Sequence, residues 1–139
     1  MRAGIRLGVD VGSVRVGLAA SDPGGILATP IRTIVRDLSS GSDQVAIEAV
    51  VLERDVLEVV VGLPRSLSGS EGPAAEEARS YAKTLAARLA PVPVRLIDEH
   101  AFDCLEQPRF FGDAMHLNQA GSQEFSRMAA RETARVLGR

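Results

Sequence analysis

The chain opens on three short apolar runs separated by turn signals. Ile5 to Val11 alternates and ends at Gly12. Val14 to Ala20 follows directly after Gly12-Ser13, and Ile26 to Val35 follows Asp22-Pro23-Gly24-Gly25. β-Branched runs bounded by glycine and proline predict strands. Such short connections favour antiparallel hairpins over crossovers. The polar stretch Leu38 to Asp43 predicts a loop. Ser42 or Asp43 then serves as N-cap for a helix to about Arg54, with Val45, Ala49 and Leu52 on one face.

The rhythm then changes. Val56 to Leu63 contains the continuous run Val59-Val60-Val61, the pattern of a parallel, central strand buried on both faces. Arg65 to Pro73 is a loop rich in serine and glycine. Pro73 suits a first helical position, so a second helix is expected from there to about Ala90, closed by Pro91 and Pro93. Val94 to Ile97 is a short fifth strand. The order βββαβαβ predicts an α/β fold: a mixed five-stranded sheet flanked by helices. After His100 the pattern is less regular. Ala101 to Glu106 reads as a short helical piece and Pro108 to Gly112 as a loop. Asn118 or Ser122 can cap a final helix reaching about Leu137, with Gly138 as its stop. A single domain over residues 1–139 is expected, its segment 100–139 being the atypical part.

The 139 residues, 45% hydrophobic and 24% charged, suffice for one buried core without disulfide or metal staples. Cys104 is the only cysteine, which excludes an internal disulfide and a cysteine-cluster zinc site and makes the reducing cytoplasm the default compartment. No apolar run reaches 18 residues, and no signal-peptide pattern precedes the first strand, so no membrane association is expected. The net charge of −2 excludes a strongly basic nucleic-acid coat but allows a local basic patch. Lys83 is the only lysine among 16 basic residues, a bias better ascribed to GC-rich coding than to chemistry. Aromatic residues at 4% make a base-stacking platform improbable.

Asp10 is the most informative position. It interrupts the apolar run Leu7-Gly8-Val9-Asp10-Val11-Gly12, where a carboxylate is costly unless it binds a cation or accepts hydrogen bonds. The glycines around it let a bulky anionic ligand approach the backbone. Asp98-Glu99 stands at the carboxyl end of another predicted strand, where sites in α/β sheets gather. If the first and fifth strands lie near each other, these acids converge, and Mg²⁺ or Mn²⁺ would relieve their repulsion. Such a site suits phosphodiester hydrolysis. Plain readings compete: Asp10 as a strand-end residue facing water, Asp98-Glu99 as a solvated acidic turn. The loop from Gly62 to Glu71 leads into a helix N-terminus, where Arg65 and serines such as Ser68 could hold phosphate. It lacks the GK[ST] element of a P-loop, which argues against ATP. Arg127, Arg131, Arg135 and Arg139 recur every fourth residue, forming a stripe that suits a phosphate backbone or, as readily, a solvated helix face.

Taken together, Gly8-Val9-Asp10-Val11-Gly12-Ser13-Val14-Arg15-Val16-Gly17-Leu18-Ala19 resembles the opening motif of the YqgF family, also called RuvX. Ile26 to Pro30, Val61 to Pro64, Ser68 to Gly72 and Arg95 to Glu99 continue the resemblance in order, over about residues 4 to 99. It implies a ribonuclease-H-like fold and a metal-dependent nuclease. The family is described as a Holliday junction resolvase and, in bacteria, as a nuclease maturing the 5′ end of pre-16S rRNA. By position, Asp10 and Glu99 would be the catalytic, Mg²⁺- or Mn²⁺-binding acids, with Asp98 beside them. Arg15, Arg65, Ser68, Arg127 and Arg131 would contact RNA or branched DNA, in a cytoplasmic monomer or weak dimer.

The tail departs from that pattern. Members carry a third acid on a late helix; here Ser126-Arg127-Met128-Ala129-Ala130 stands near its place. Glu124, Glu132 and Asp113 are the nearby carboxylates, and the third ligand stays open. Phe111 to Gly121 instead resembles the last block of SGNH (GDSL-type) hydrolases, in which Asp113 and His116 would complete a triad. No Gly-Asp-Ser nucleophile turn accompanies it, so acyl transfer lacks its nucleophile. The expectations are thus a nuclease, a nucleic-acid-binding module with a degraded site, or, least supported, a serine esterase.

Overall fold

The computed structural model describes residues 2–64, 68, 70–98, 127, 128 and 131. Five strands and two helices run in the order β1 (Arg6–Val11), β2 (Arg15–Ser21), β3 (Ala28–Val35), α1 (Ser42–Glu53), β4 (Glu58–Leu63), α2 (Pro73–Leu89) and β5 (Val94–Asp98). They form one mixed sheet in the order β3-β2-β1-β4-β5. The first three strands make the expected antiparallel meander. β4 lies between β1 and β5 and is parallel to both, which is the central, parallel place its valine run predicts.

The helices follow β3 and β4, and both contribute to one core. Ile47, Val50 and Val51 from α1 and Tyr81, Ala82, Leu85 and Leu89 from α2 pack on Leu7, Val9, Val16, Leu18, Val59 and Val61. Every second strand residue therefore faces the helices. Each large aliphatic side chain withdrawn from water there contributes about 1.5–3 kcal/mol.

The expected core face of α1 is wrong. Val45 and Leu52 are exposed; Ile47, Val50 and Val51 are buried. The helix is apolar on nearly every side, so periodicity could not choose between faces. Its N-cap is also displaced. Gly41, at φ +71°, caps α1 without a side chain, in the left-handed conformation that glycine tolerates. The Ser42 hydroxyl is already engaged, donating to Asp37 at 2.6 Å. Asp37 likewise accepts from the hydroxyls of Ser39 and Ser40, and these bonds, the Ser40 one foremost, hold its carboxyl well below the usual range. α2 has Gly72 at its N-cap.

The strand limits differ for similar local reasons. Asp22 accepts from the backbone N–H groups of Gly24, Ile26 and Leu27, so Ile26 and Leu27 stay in a loop and β3 starts at Ala28. Gly12 N–H donates to the Arg15 carbonyl at 2.9 Å, closing the turn one residue later than expected. A Cβ on Gly12 would lie 2.7 Å from that carbonyl oxygen, which no side chain can do. Within β3, Leu18 pairs with Arg32 but Ala19 with Pro30, leaving Ile31 as an extra residue, a β-bulge on an edge strand. Of the final helix, Arg127, Met128 and Arg131 are described and are helical.

On the sheet face turned away from the two helices, Arg6 Nε donates to Glu58 Oε1 at 2.6 Å across paired strands. Both side chains are largely buried. Removing one partner of such a pair strands the other charge. Glu58→Ala should therefore lower stability by about 3 kcal/mol, whereas the double change Arg6→Met with Glu58→Met should be close to neutral; urea unfolding curves measure both.

Candidate functional site

Strand alternation decides which residues share a surface. Leu7 and Val9 face the helices, so Arg6, Gly8 and Asp10 face the opposite side of β1. Asp10 is exposed and pairs with Gly17 on β2. Val9 pairs with Val61; continuing that register by one residue sets Asp10 beside Gly62 on β4. Gly62 in turn pairs with Ile97 on β5. The row across the sheet is thus Gly17, Asp10, Gly62, Ile97.

Asp10 stands between two positions without side chains. A Cβ built on Gly62 meets nothing within 4 Å, and one on Gly17 meets only the Asp10 Cβ at 3.8 Å. Gly8, two residues earlier on the same face of β1, extends the bare strip. One carboxylate thus rises from a floor where a polymer backbone can lie close to the sheet. Carboxylate oxygen is a hard donor and fits a divalent Mg²⁺- or Mn²⁺-like cation.

The other predicted residues divide. Asp98 pairs with Leu63, and Leu63 packs on Ala75 and Ala78 of α2. Asp98 is therefore on the helix-bearing face, opposite Asp10, and the two do not converge. Glu99 lies outside the described residues. Arg15 is exposed at the end of the Gly12–Arg15 turn. It is two residues from Gly17 and shares the face of Asp10. Ser68 is exposed, its hydroxyl 3.0 Å from that of Ser70, while Arg65 is outside the described residues. Arg127 and Arg131 are exposed and helical, one turn apart. Asp113 and His116 fall outside the described residues. Among the described residues no three acids, histidines or cysteines gather as a metal cluster.

Two residues escaped the sequence reading. Arg95 pairs with Val60 and therefore lies on the Asp10 face; its Nε is buried without a hydrogen-bond partner. The signal was available: an arginine at an inward-counting position of a strand. Gly62 was read as the end of a strand and the start of the loop to Glu71, although it also leaves the gap beside Asp10.

Comparisons with known proteins place the chain in a family. The family model described as "RuvX: Holliday junction resolvase" matches residues 4–132. The chain belongs to the RuvX family. Relatives named "Putative pre-16S rRNA nuclease" include one from Frankia casuarinae, 58% identical over 95 residues, covering 68% of this chain and 47% of that one. Another, from Thermobifida fusca, is 59% identical over 99 residues, covering 71% and 60%. The chain spans about half of the length of these curated relatives. Among solved structures, T. thermophilus RuvC in complex with a Holliday junction substrate aligns with TM-score 0.53 at 16% identity, covering 92% of this chain and 95% of that one. That likeness shows the fold, which is the expected ribonuclease-H-like sheet. The RuvX match runs through positions 111–121, and the second resemblance, to SGNH hydrolases, finds no support.

Gly62→Val supplies a β-branched side chain to an open strand position. It should leave the melting temperature unchanged or raise it by a few degrees; if a nucleic-acid strand lies along the strip beside Asp10, filling it should weaken binding of a labelled RNA about tenfold or more. Calorimetry and fluorescence anisotropy on the same sample test both halves.

Proposed function

We propose that this RuvX chain is a metal-dependent nuclease that hydrolyses phosphodiester bonds, with the 5′ end of pre-16S rRNA as its substrate in ribosome biogenesis. The observation that carries the reading is the exposed Asp10 at the carboxyl end of β1, flanked in its row by Gly17 and Gly62. Bound Mg²⁺ or Mn²⁺ would supply a polarised phosphoryl oxygen and an activated water. Asp10 and Glu99 are the residues that would hold it. Asp98 faces the helices, so the part of second ligand falls to Glu99 by its place in the family motif. Asp98 then has a supporting place behind the strand end instead of a ligand's place.

The remaining groups bind and orient. Arg15, on the same face, would take a phosphate next to the scissile one, and Arg95 could take another. Arg65 and Ser68 from the loop before α2, with Arg127 and Arg131, would extend the contact along the backbone. The oxygen-donor site, the reducing compartment expected from a single cysteine, and the absence of a membrane-crossing helix among the described residues suit a cytoplasmic RNA-processing enzyme.

A second reading has one observation behind it. Arg127 is helical and exposed where family members carry a third acid, so the chain could bind structured nucleic acid, RNA or a branched DNA junction, without turning it over.

Asp10→Asn decides between the two. Loss of an outer-shell partner alone costs roughly 10–100-fold in metal affinity or activity, so Asp10→Asn should reduce Mn²⁺-dependent cleavage of a pre-16S RNA fragment by at least about 100-fold with RNA binding retained. Cleavage that survives this change, or survives EDTA, rejects the nuclease; binding without cleavage by the unmodified chain selects the module. Separately, Arg15→Gln should weaken RNA binding and lower the slope of log K against log salt by about 1, measured as a salt titration.

A further inference from the structure

Arg36 directly follows β3 and has a buried side chain, 7% exposed, at the end of the sheet nearest Asp10. It grips the Gly12–Arg15 turn twice. Its backbone N–H donates to the Val14 carbonyl at 2.9 Å, and its Nη1 donates to the Gly12 carbonyl at 2.9 Å. On its other side, the guanidinium carbon lies 4.8 Å from the centre of the Tyr81 ring. Its Nε is 3.6 Å from Asp43 Oδ2, and its Nη1 is 3.9 Å from Glu77 Oε2. Asp43 belongs to the first turn of α1, and Glu77 and Tyr81 to α2. One guanidinium therefore ties both helices to the turn that ends in Arg15.

Burying an arginine among carboxylates is expensive, and apolar residues of the same volume commonly stabilise a fold as well or better. What no apolar side chain supplies is a donor for the Gly12 carbonyl. Lysine cannot supply the whole clamp either, because stacking on Tyr81 while donating sideways requires a planar, forked cation. The environment is strongly desolvated: burial, together with the nearby Asp43 charge, pushes the Tyr81 hydroxyl well above the usual phenol range.

We propose that Arg36 is a positioning residue, which holds the Gly12–Arg15 turn, and with it Arg15, at a fixed place beside Asp10 so that a phosphate backbone is met by a preformed contact. The role rests on the nuclease reading; Arg36 itself touches no substrate. Its loss should therefore be felt in substrate capture, since an ordered turn lowers the ordering cost of binding.

The test uses Arg36→Lys, Tyr81→Leu and Tyr81→Phe in the full chain. Amide hydrogen exchange in the free protein reports on the clamp without metal or substrate. The amides of Gly12 and of residue 36 should exchange about tenfold faster in Arg36→Lys and Tyr81→Leu, with amides of β4 and the middle of α2 changed by less than about twofold. KM for the RNA should rise about fivefold in both variants, with kcat changed by less than about twofold. Tyr81→Phe keeps the ring under the guanidinium and should match the unmodified chain in both readouts. Unchanged exchange at Gly12 and residue 36, or acceleration spread evenly over β4 and α2, overturns the clamp. Faster exchange with unchanged KM makes Arg36 a structural tie and overturns the positioning role. Cleavage that persists in Asp10→Asn rejects the nuclease reading instead, and leaves the exchange result standing, so the two failures are distinguishable. Should Arg36→Lys fail to fold, Tyr81→Leu carries the same comparison.

Discussion

The parallel register of β1, β4 and β5 is the constraint on which everything else rests. Side chains paired across such strands point to the same side, so one residue's surface fixes that of its neighbours. Leu7 with Val59, and Val9 with Val61 and Leu96, are committed to the helices by the core. Asp10 and Gly62 are then committed to the other face, and so is Arg95. A slip of one residue would bury the carboxylate under α2, where no cation or solvent could compensate it. The apolar core thereby aims the acid, although no core residue lies beside it.

The two faces of the sheet do different physical work. The helix-bearing face is filled by interlocking aliphatic groups and sets the rigidity. Among the described residues, the opposite face carries polar pairs such as Arg6 with Glu58, then glycine positions, then the exposed Asp10 near the strand ends. Glycine within a strand sacrifices packing and conformational restraint. Its recurrence at 8, 17 and 62 leaves Asp10 without side-chain neighbours at those positions. Arg36 completes this division, because it is anchored in the helix layer yet acts on a turn that belongs to the other side.

Much of the architecture was legible from residue pattern. Alternation in the first three runs and the valine block of β4 imply the mixed sheet, and the glycine-flanked Asp10 stands out in the residue pattern itself. What failed did so for identifiable reasons. The core face of α1 was ambiguous because Val45, Ile47, Val50, Val51 and Leu52 surround the helix, and only tertiary contact selects among them. The side of Asp98 was left open because the sequence shows only that it ends a strand, whereas its register with Leu63 sets it on the helix-bearing face. Arg36 was invisible because its partners, Gly12, Asp43 and Tyr81, are scattered along the chain and only the crossovers of β3 to α1 and β4 to α2 bring them together.

The bulge in β3 has a consequence for how the molecule behaves in a crowded solution. An outer strand normally offers a row of unpaired amides to any extended peptide that drifts alongside. At Pro30 the row lacks a donor, and the extra residue Ile31 throws the following groups out of step. A foreign strand could engage only a few residues there before its hydrogen bonds ceased to match. The irregularity thus acts as a guard on that flank, keeping the sheet from being lengthened by strangers while its working surface stays open.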